Sequence, residues 1–276
     1  MSLLDDGLPA TRPGTRSSPA SQFVTLTVLS IVFLAFAMLW SMVDARQVAG
    51  TAVWMKPLKF ALSFLVLFGT IALIEARLSA QVRAGWPLRV IGWVMAGAFL
   101  SEMAYITYQA ALAEPSHFNI STPFNLFMYQ VVMAGGAVAL VLGVALIGWI
   151  VHRDSAADMG DGLRAGIFLG FVLTFVLTMV TAGYLSSNGG HFVGLHPDGA
   201  AVLPLFGWSG ATGDLRPAHF AALHAMQVLP LLGLLLDRRG VRTPVMKVGI
   251  GAALYTALTF GLFAQALLGM PMIRLN

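Results

Sequence analysis

The sequence contains no cysteine, and only 10% of its 276 residues are charged. The first absence excludes disulfides, thiolate metal ligands and a cysteine nucleophile. The second excludes an ordinary soluble domain, in which about a quarter of the residues are charged. HExxH, GxGxxG and Walker A motifs are also absent, so the sequence indicates neither a zincin-type protease nor a nucleotide-phosphate loop.

Long apolar runs make up most of the chain, which is 58% hydrophobic. Runs of about 20 uncharged residues are long enough to cross a hydrocarbon core of roughly 30 Å. They predict an all-α membrane protein, a bundle of seven transmembrane helices within residues 23–270. A disordered tail is expected over 1–22 and a short tail over 271–276. The helices are predicted at 23–43, 52–75, 86–112, 123–151, 163–186, 217–237 and 244–270.

The sixteen lysines and arginines are divided unequally between the two sides of these helices. Eleven fall on the side of the N-terminus and five on the other side. Basic loops stay in the cytoplasm, so the N-terminus is predicted to be cytoplasmic and the C-terminus periplasmic. The same bias explains the net charge of +4 without nucleic acid as a partner. A bacterial inner (cytoplasmic) membrane is the expected location.

Histidines gather on the predicted periplasmic side, where the longest loop, about 187–216, also lies. Such a length indicates either a functional loop or a partly ordered cap. Five of the six histidines are on this side: His117, His191, His196, His219 and His224.

Glu102 is the acid predicted to lie deepest, about 15 Å from the outer end of the third helix. Tyr105 and Gln109 share its face. A carboxylate at this depth indicates either a functional site or a protonated group that joins helices. Lys56 and Lys59, on the second helix, either extend to the membrane interface or bind groups of opposite charge. In the second case Lys59 would pair with Glu102, which leaves Lys56 for an anion.

The stretch GDLRPAHFAALHAMQVLP, residues 213–230, begins the sixth helix with a polar face. Asp214 and Arg216 are explained by helix capping and the membrane interface, or else by ligand binding. His219 and His224 are five residues apart, about 140° around a helix, so they cannot clamp one ion together as an i,i+4 pair does. Gln227 projects between their directions. His224 is either a neutral helix-joining group or a metal, heme or proton-transfer residue.

Three strings carry a resemblance: WMKPLKF, SHFNISTPFN and GDLRPAHFAALHAMQVLP. Together they resemble an uncharacterised family of bacterial multi-pass inner-membrane proteins. The resemblance spans most of the transmembrane region. It implies a bacterial inner-membrane setting, and it carries over no catalytic residue because no activity is established for that family.

The leading hypothesis is a periplasm-facing cleft that binds a transition metal or heme b and does redox or hydrolytic work. Glu102 and His224 would be catalytic, and His117, His191 and His219 the metal ligands. The remaining cofactor-binding candidates are Lys56, Lys59, Tyr105, Gln227, Asp214 and Arg216, with His117 and His219 serving here too.

Two other classes of function remain open. One is a proton-coupled transporter of a small, anionic solute that enters from the periplasmic side. The other is a membrane sensor or assembly subunit whose outer loop binds a partner. Beyond the lipid bilayer, a second copy of the chain is a further candidate partner, because Gly166 and Gly170 form a GxxxG pattern.

Overall fold

Seven helices of the computed structural model are long and apolar enough to cross a membrane. The structure describes residues 21–48, 50–197 and 199–275, so the tail predicted over 1–22 lies outside them except for its last two residues. The prediction of a multi-pass helical bundle is confirmed. The seven spans are α1 Gln22–Ser41, α2 Met55–Glu75, α4 Trp86–Ala111, Pro123–Arg153, α7 Asp161–Ser187, α8 Arg216–Arg238 and α9 Pro244–Leu267.

The smaller elements lie at the ends of these spans. A four-residue helix, α3, covers Ala80–Arg83. Two short antiparallel pairs join β1 (Gln47–Val48) to β2 (Thr51–Ala52) and β3 (Phe192–Val193) to β4 (Gly213–Asp214). Since successive spans alternate in direction, segments 42–54, 112–122 and 188–215 share one end of the bundle, called here the loop end. The opposite, short-loop end carries 76–85, 154–160 and 239–243.

The fourth span is not a uniform α-helix. It begins as α5 (Pro123–Phe127), passes through a π-helical segment (Met128–Met133) and continues as α6 (Ala134–Arg153). Thr122 caps it, its hydroxyl accepting from the backbone N–H of Asn125 at 3.1 Å. A π-helical turn inside an α-helix often marks a functional site, and this one lies near the loop end.

Glycines allow α7 to pack most closely against α8. A Cβ on Gly166 would overlap the carbonyl oxygen of Leu229, and one on Gly170 would lie 2.6 Å from that of Ala225. The ring of Pro230, inside α8, meets the same glycines. The GxxxG pattern is therefore occupied by contacts within the chain, so it does not indicate a second copy.

Close backbone packing connects the spans in the order α1, α2, α4, α6, α7, α8 and α9. Phe64, Phe68 and Phe99 pack as an aromatic cluster between α2 and α4. In the described part of the chain α2 and α8 do not pack closely along their length. They meet through side chains, with Gln227 Nε2 donating to Thr70 Oγ1 at 3.2 Å. This arrangement leaves a seam between α2 and α8.

The last part of the long loop, just before α8, is organised around Asp214. Asp214 is fully buried and accepts from the guanidinium of Arg216 and from the backbone N–H groups of Ser209 and Arg216. Arg216 also donates to the Gly207 carbonyl at 2.7 Å. These contacts tie the loop to the first turn of α8.

Candidate functional site

Polar side chains from four segments converge at the loop end. Lys56 lies in the first turn of α2, His117 in segment 112–122, His191 just before β3, and His219 in the first turn of α8. Burial and charge couple them, because His117 is within electrostatic range of Lys56 and His191, and His191 of His219. Glu102 of α4 is within electrostatic range of Lys56, and we call these four residues together with Glu102 the loop-end cluster.

The environment of His117 and His191 keeps both imidazoles neutral. Burial lowers the pKa of His117 well below its usual value, and the charges of Lys56 and His191 lower it further. Burial, with the Arg216 guanidinium, lowers the pKa of His191 to about 4, although Asp214 acts in the opposite direction. Neutral imidazoles add no positive charge at neutral pH and keep one N–H to donate.

Two imidazole nitrogens in this cluster have no hydrogen bond. Nδ1 of His191 and Nδ1 of His219 are buried and lack a partner within residues 21–48, 50–197 and 199–275. A buried polar atom without a partner costs about 1–3 kcal/mol, so most such atoms are satisfied by protein or by bound molecules. Both nitrogens are therefore candidate positions for a bound ligand or an ordered water.

Glu102 is the acidic member of the cluster and is only 4% exposed. It lies about 14 Å from the end of α4, as the spacing predicts. Gly136 leaves room for its carboxyl group, since a Cβ there would be 3.2 Å from Oε1. In the part of the chain that the structure describes, Glu102 makes no ion pair within 4.0 Å.

The pairing hypothesis assigned the wrong lysine to Glu102. Lys56, not Lys59, is the lysine within electrostatic range of Glu102. Lys59 is exposed and donates to the Phe206 carbonyl at 3.4 Å, close to the charge of Arg216. The pairing of Lys59 with Glu102 was therefore the wrong choice.

Tyr105 and Gln109 form a hydrogen-bonded network with Asn125. The Gln109 amide donates to Tyr105 Oη at 2.7 Å and to Asn125 Oδ1 at 2.8 Å, and Tyr105 donates to the same oxygen at 3.1 Å. Asn125 was not among the predicted site residues. Its position in the first turn after Pro123 was the one signal that could have indicated it, since helix-start residues are commonly read as caps only.

His224 and Gln227 lie apart from the loop-end cluster. Nδ1 of His224 is 3.1 Å from Gln227 Oε1, and Gln227 in turn reaches Thr70 of α2. The imidazoles of His219 and His224 have different neighbours. This agrees with the prediction that the two residues cannot clamp one ion together.

The expected metal centre receives no support from this geometry. Among the described residues no group of three or more His, Asp or Glu side chains is arranged to hold a metal ion. His117, His191 and His219 share electrostatic contacts without forming such a group. Asp214 and Arg216, predicted to bind a cofactor, instead satisfy each other and the loop.

The fold and the site define a multi-pass helical membrane protein with a partly unsatisfied polar cluster at one end. Comparisons of the chain with family models, with curated proteins and with solved structures found no match.

Proposed function

We propose that this protein binds a small anionic solute at the loop-end cluster and couples binding to protonation of Glu102. Lys56 carries the proposal. Its ammonium is partly buried, and within residues 21–48, 50–197 and 199–275 it has no carboxylate within 4.0 Å. A cation in such a place is costly unless an anion neutralises it, so the site favours a negatively charged ligand.

The neutral imidazoles supply hydrogen bonds for that ligand. His117 and His191 lie within electrostatic range of Lys56, and Nδ1 of His191 and of His219 has no hydrogen-bond partner among the described residues. An imidazole N–H donates to a carboxylate or phosphate oxygen. One cation surrounded by neutral donors matches a small monoanion better than a neutral solute.

Glu102 provides the coupling. When its carboxyl group is ionised, it competes with the solute for the charge of Lys56. When it is protonated, Lys56 is available to the solute. Solute and proton therefore bind together, and affinity for the anion rises as the pH falls. A proton-coupled carrier uses this relation between solute and proton.

We also propose that the loop end faces the periplasm of a bacterial inner membrane. Five of the sixteen lysines and arginines lie at this end and eleven lie at the short-loop end or in the segment before α1. The uneven distribution supports this orientation, because basic loops are retained in the cytoplasm.

The first test measures binding of acetate, succinate and inorganic phosphate to the purified full chain by calorimetry at several pH values. We expect Lys56→Gln to weaken binding of the preferred anion about tenfold, the equivalent of about 1.4 kcal/mol. Glu102→Gln removes the competing charge, so at the highest pH of the series, where the wild-type carboxyl group is ionised, the variant should bind more tightly than the wild type, and its affinity should be nearly independent of pH.

Lys247→Gln is the matched control, because this lysine lies at the short-loop end, in the first turn of α9. Its binding should equal that of the wild type. Unchanged affinity in Lys56→Gln, or a wild-type pH dependence in Glu102→Gln, would refute the proposal.

A further inference from the structure

The seam between α2 and α8 contains a second polar group that the proposed function does not use. On α8, residues 220, 224, 227 and 231 fall in one narrow stripe, because successive residues are 100° apart. Phe220 is 42% exposed and Leu231 is 56% exposed, so this stripe faces lipid in a membrane-spanning helix. His224, only partly buried, lies in the middle of it, about 12 Å from the start of α8.

A chain of hydrogen bonds fixes which ring nitrogen of His224 carries the proton. The Thr70 hydroxyl donates to the Val66 carbonyl at 2.7 Å, so it must accept from Gln227 Nε2. The other amide atom of Gln227, Oε1, is then an acceptor, and His224 Nδ1 must donate to it at 3.1 Å. In the neutral ring the second nitrogen, Nε2, is consequently an acceptor.

Nε2 of His224 has no hydrogen-bond partner in the described ranges of the chain. Lipid tails offer no donor to satisfy it, and water is scarce at this depth. The seam therefore selects a molecule that is soluble in the membrane and carries a hydrogen-bond donor. Acceptor-only groups such as esters and ketones do not meet this requirement.

An aromatic cluster packs beside the His224 ring on one side. The Phe220 ring lies 4.2 Å from the His224 ring, and Trp208 and Phe206 lie 5.6 Å and 5.7 Å from Phe220. Ring centroids at these separations are typical of favourable aromatic packing. Such a wall favours a planar aromatic ligand over an aliphatic alcohol.

We propose that the α2–α8 seam binds a membrane-soluble phenol, such as a hydroquinone, whose hydroxyl donates to His224 Nε2. The aromatic ring of the ligand packs beside Phe220, and its apolar tail follows the lipid-facing stripe towards Leu231. Thr70 and Gln227 position the imidazole. The seam is distinct from the loop-end cluster and does not depend on anion binding there.

The experiment uses the full chain in phosphatidylcholine nanodiscs, with binding followed by quenching of tryptophan fluorescence. The probes are a decyl-substituted hydroquinone and its dimethyl ether, which has the same ring and tail without a hydroxyl donor. We expect the hydroquinone to bind about tenfold more tightly than the ether, the ratio that about 1.4 kcal/mol produces and the size of one buried hydrogen bond.

His224→Phe keeps an aromatic ring and removes the acceptor, so it should bind both probes with equal, low affinity. His152→Phe is the matched control: it makes the same change at an exposed histidine of the short-loop end and should keep the wild-type preference. Gln227→Leu frees the ring from its fixed tautomer and should reduce the preference severalfold.

Equal binding of the two probes to the wild-type protein would overturn the proposal, as would an unchanged preference in His224→Phe. If His224→Phe does not fold, the comparison of the two probes on the wild type still decides. Because the anion test depends on Lys56 and Glu102, either proposal can fail while the other stands.

Discussion

Polar side chains at the loop end differ in how fully their hydrogen-bonding capacity is used. Asp214 accepts from the Ser209 and Arg216 backbones and from the Arg216 guanidinium, so its oxygens are occupied. Nδ1 of His191 and Nδ1 of His219 have no hydrogen-bond partner among the described residues. We interpret Asp214 and Arg216 as residues that hold the loop, and the histidines as residues that meet a ligand. Both types looked alike in the sequence.

Two neutral histidines should make the stability of the protein fall in mild acid. An unfolded histidine titrates near 6.5, whereas the folded pKa of His191 is about 4 and that of His117 is also well below 6.5. Between pH 6.5 and about 4 the unfolded chain takes up protons that the folded chain does not, so the free energy of unfolding decreases as the pH falls. For His191 the decrease is at most about 3 kcal/mol.

The measurement is the unfolding temperature of the detergent-solubilised protein between pH 7.5 and about pH 4.5, a range set by these two groups. His191→Phe should flatten the decline, because the substitute cannot bind a proton. His152→Phe should leave it as steep as in the wild type. A decline that His191→Phe does not alter would show that burial of this imidazole is not its cause.

Whole helices were predicted more accurately than the faces they turn to one another. All seven spans were expected, and their ends differ from the observed ones by at most three residues, because an apolar run of this length has few alternatives. The π-helical segment Met128–Met133 was not predicted, since nothing in its composition separates it from an α-helix. Lys56 and Lys59 are about 60° apart on one helix, and only the packing of α2 on α4 decides which one faces Glu102.

The α7–α8 pair relies on backbone contact where side chains would ordinarily intervene. Gly170→Ala places a Cβ 2.6 Å from the Ala225 carbonyl, and neither backbone can move away easily. We expect a loss of about 1–3 kcal/mol in the free energy of unfolding, as in other overpacked cores. Unfolding in a mixed-micelle denaturant series would measure it.

Gly183→Ala is the control on the same helix, because a Cβ at Gly183 would meet no atom within 4 Å. Without a clash it should be neutral or stabilise α7 by up to about 1 kcal/mol, the ordinary gain of alanine over glycine in a helix. Equal effects of the two substitutions would show that close α7–α8 contact is not what position 170 provides.

The two ends of the whole molecule use their polar groups differently. At the short-loop end Asp237 accepts from the Gly162 and Leu163 amides, and Asp154 accepts from the Ser79 amide at 2.8 Å. Arg164 donates to the carbonyls of Val151 and Ala157. These groups join neighbouring helices and cap their ends. Among the described residues, the loop end retains two buried imidazole nitrogens without a hydrogen bond, on His191 and His219, which is the asymmetry expected if ligand reaches the bundle from that end.

Orientation in the membrane can be tested directly because the chain has no cysteine of its own. Leu205→Cys introduces a thiol at a residue that is 83% exposed at the loop end, and Arg239→Cys introduces one at an exposed residue of the short-loop end. With the loop end in the periplasm, a membrane-impermeant maleimide added to intact cells should label Leu205→Cys. It should label Arg239→Cys only after the inner membrane is permeabilised. The cysteine-free parent controls for nonspecific labelling. The reverse pattern would place the loop-end cluster in the cytoplasm, and its anion and protons would then have to come from that side.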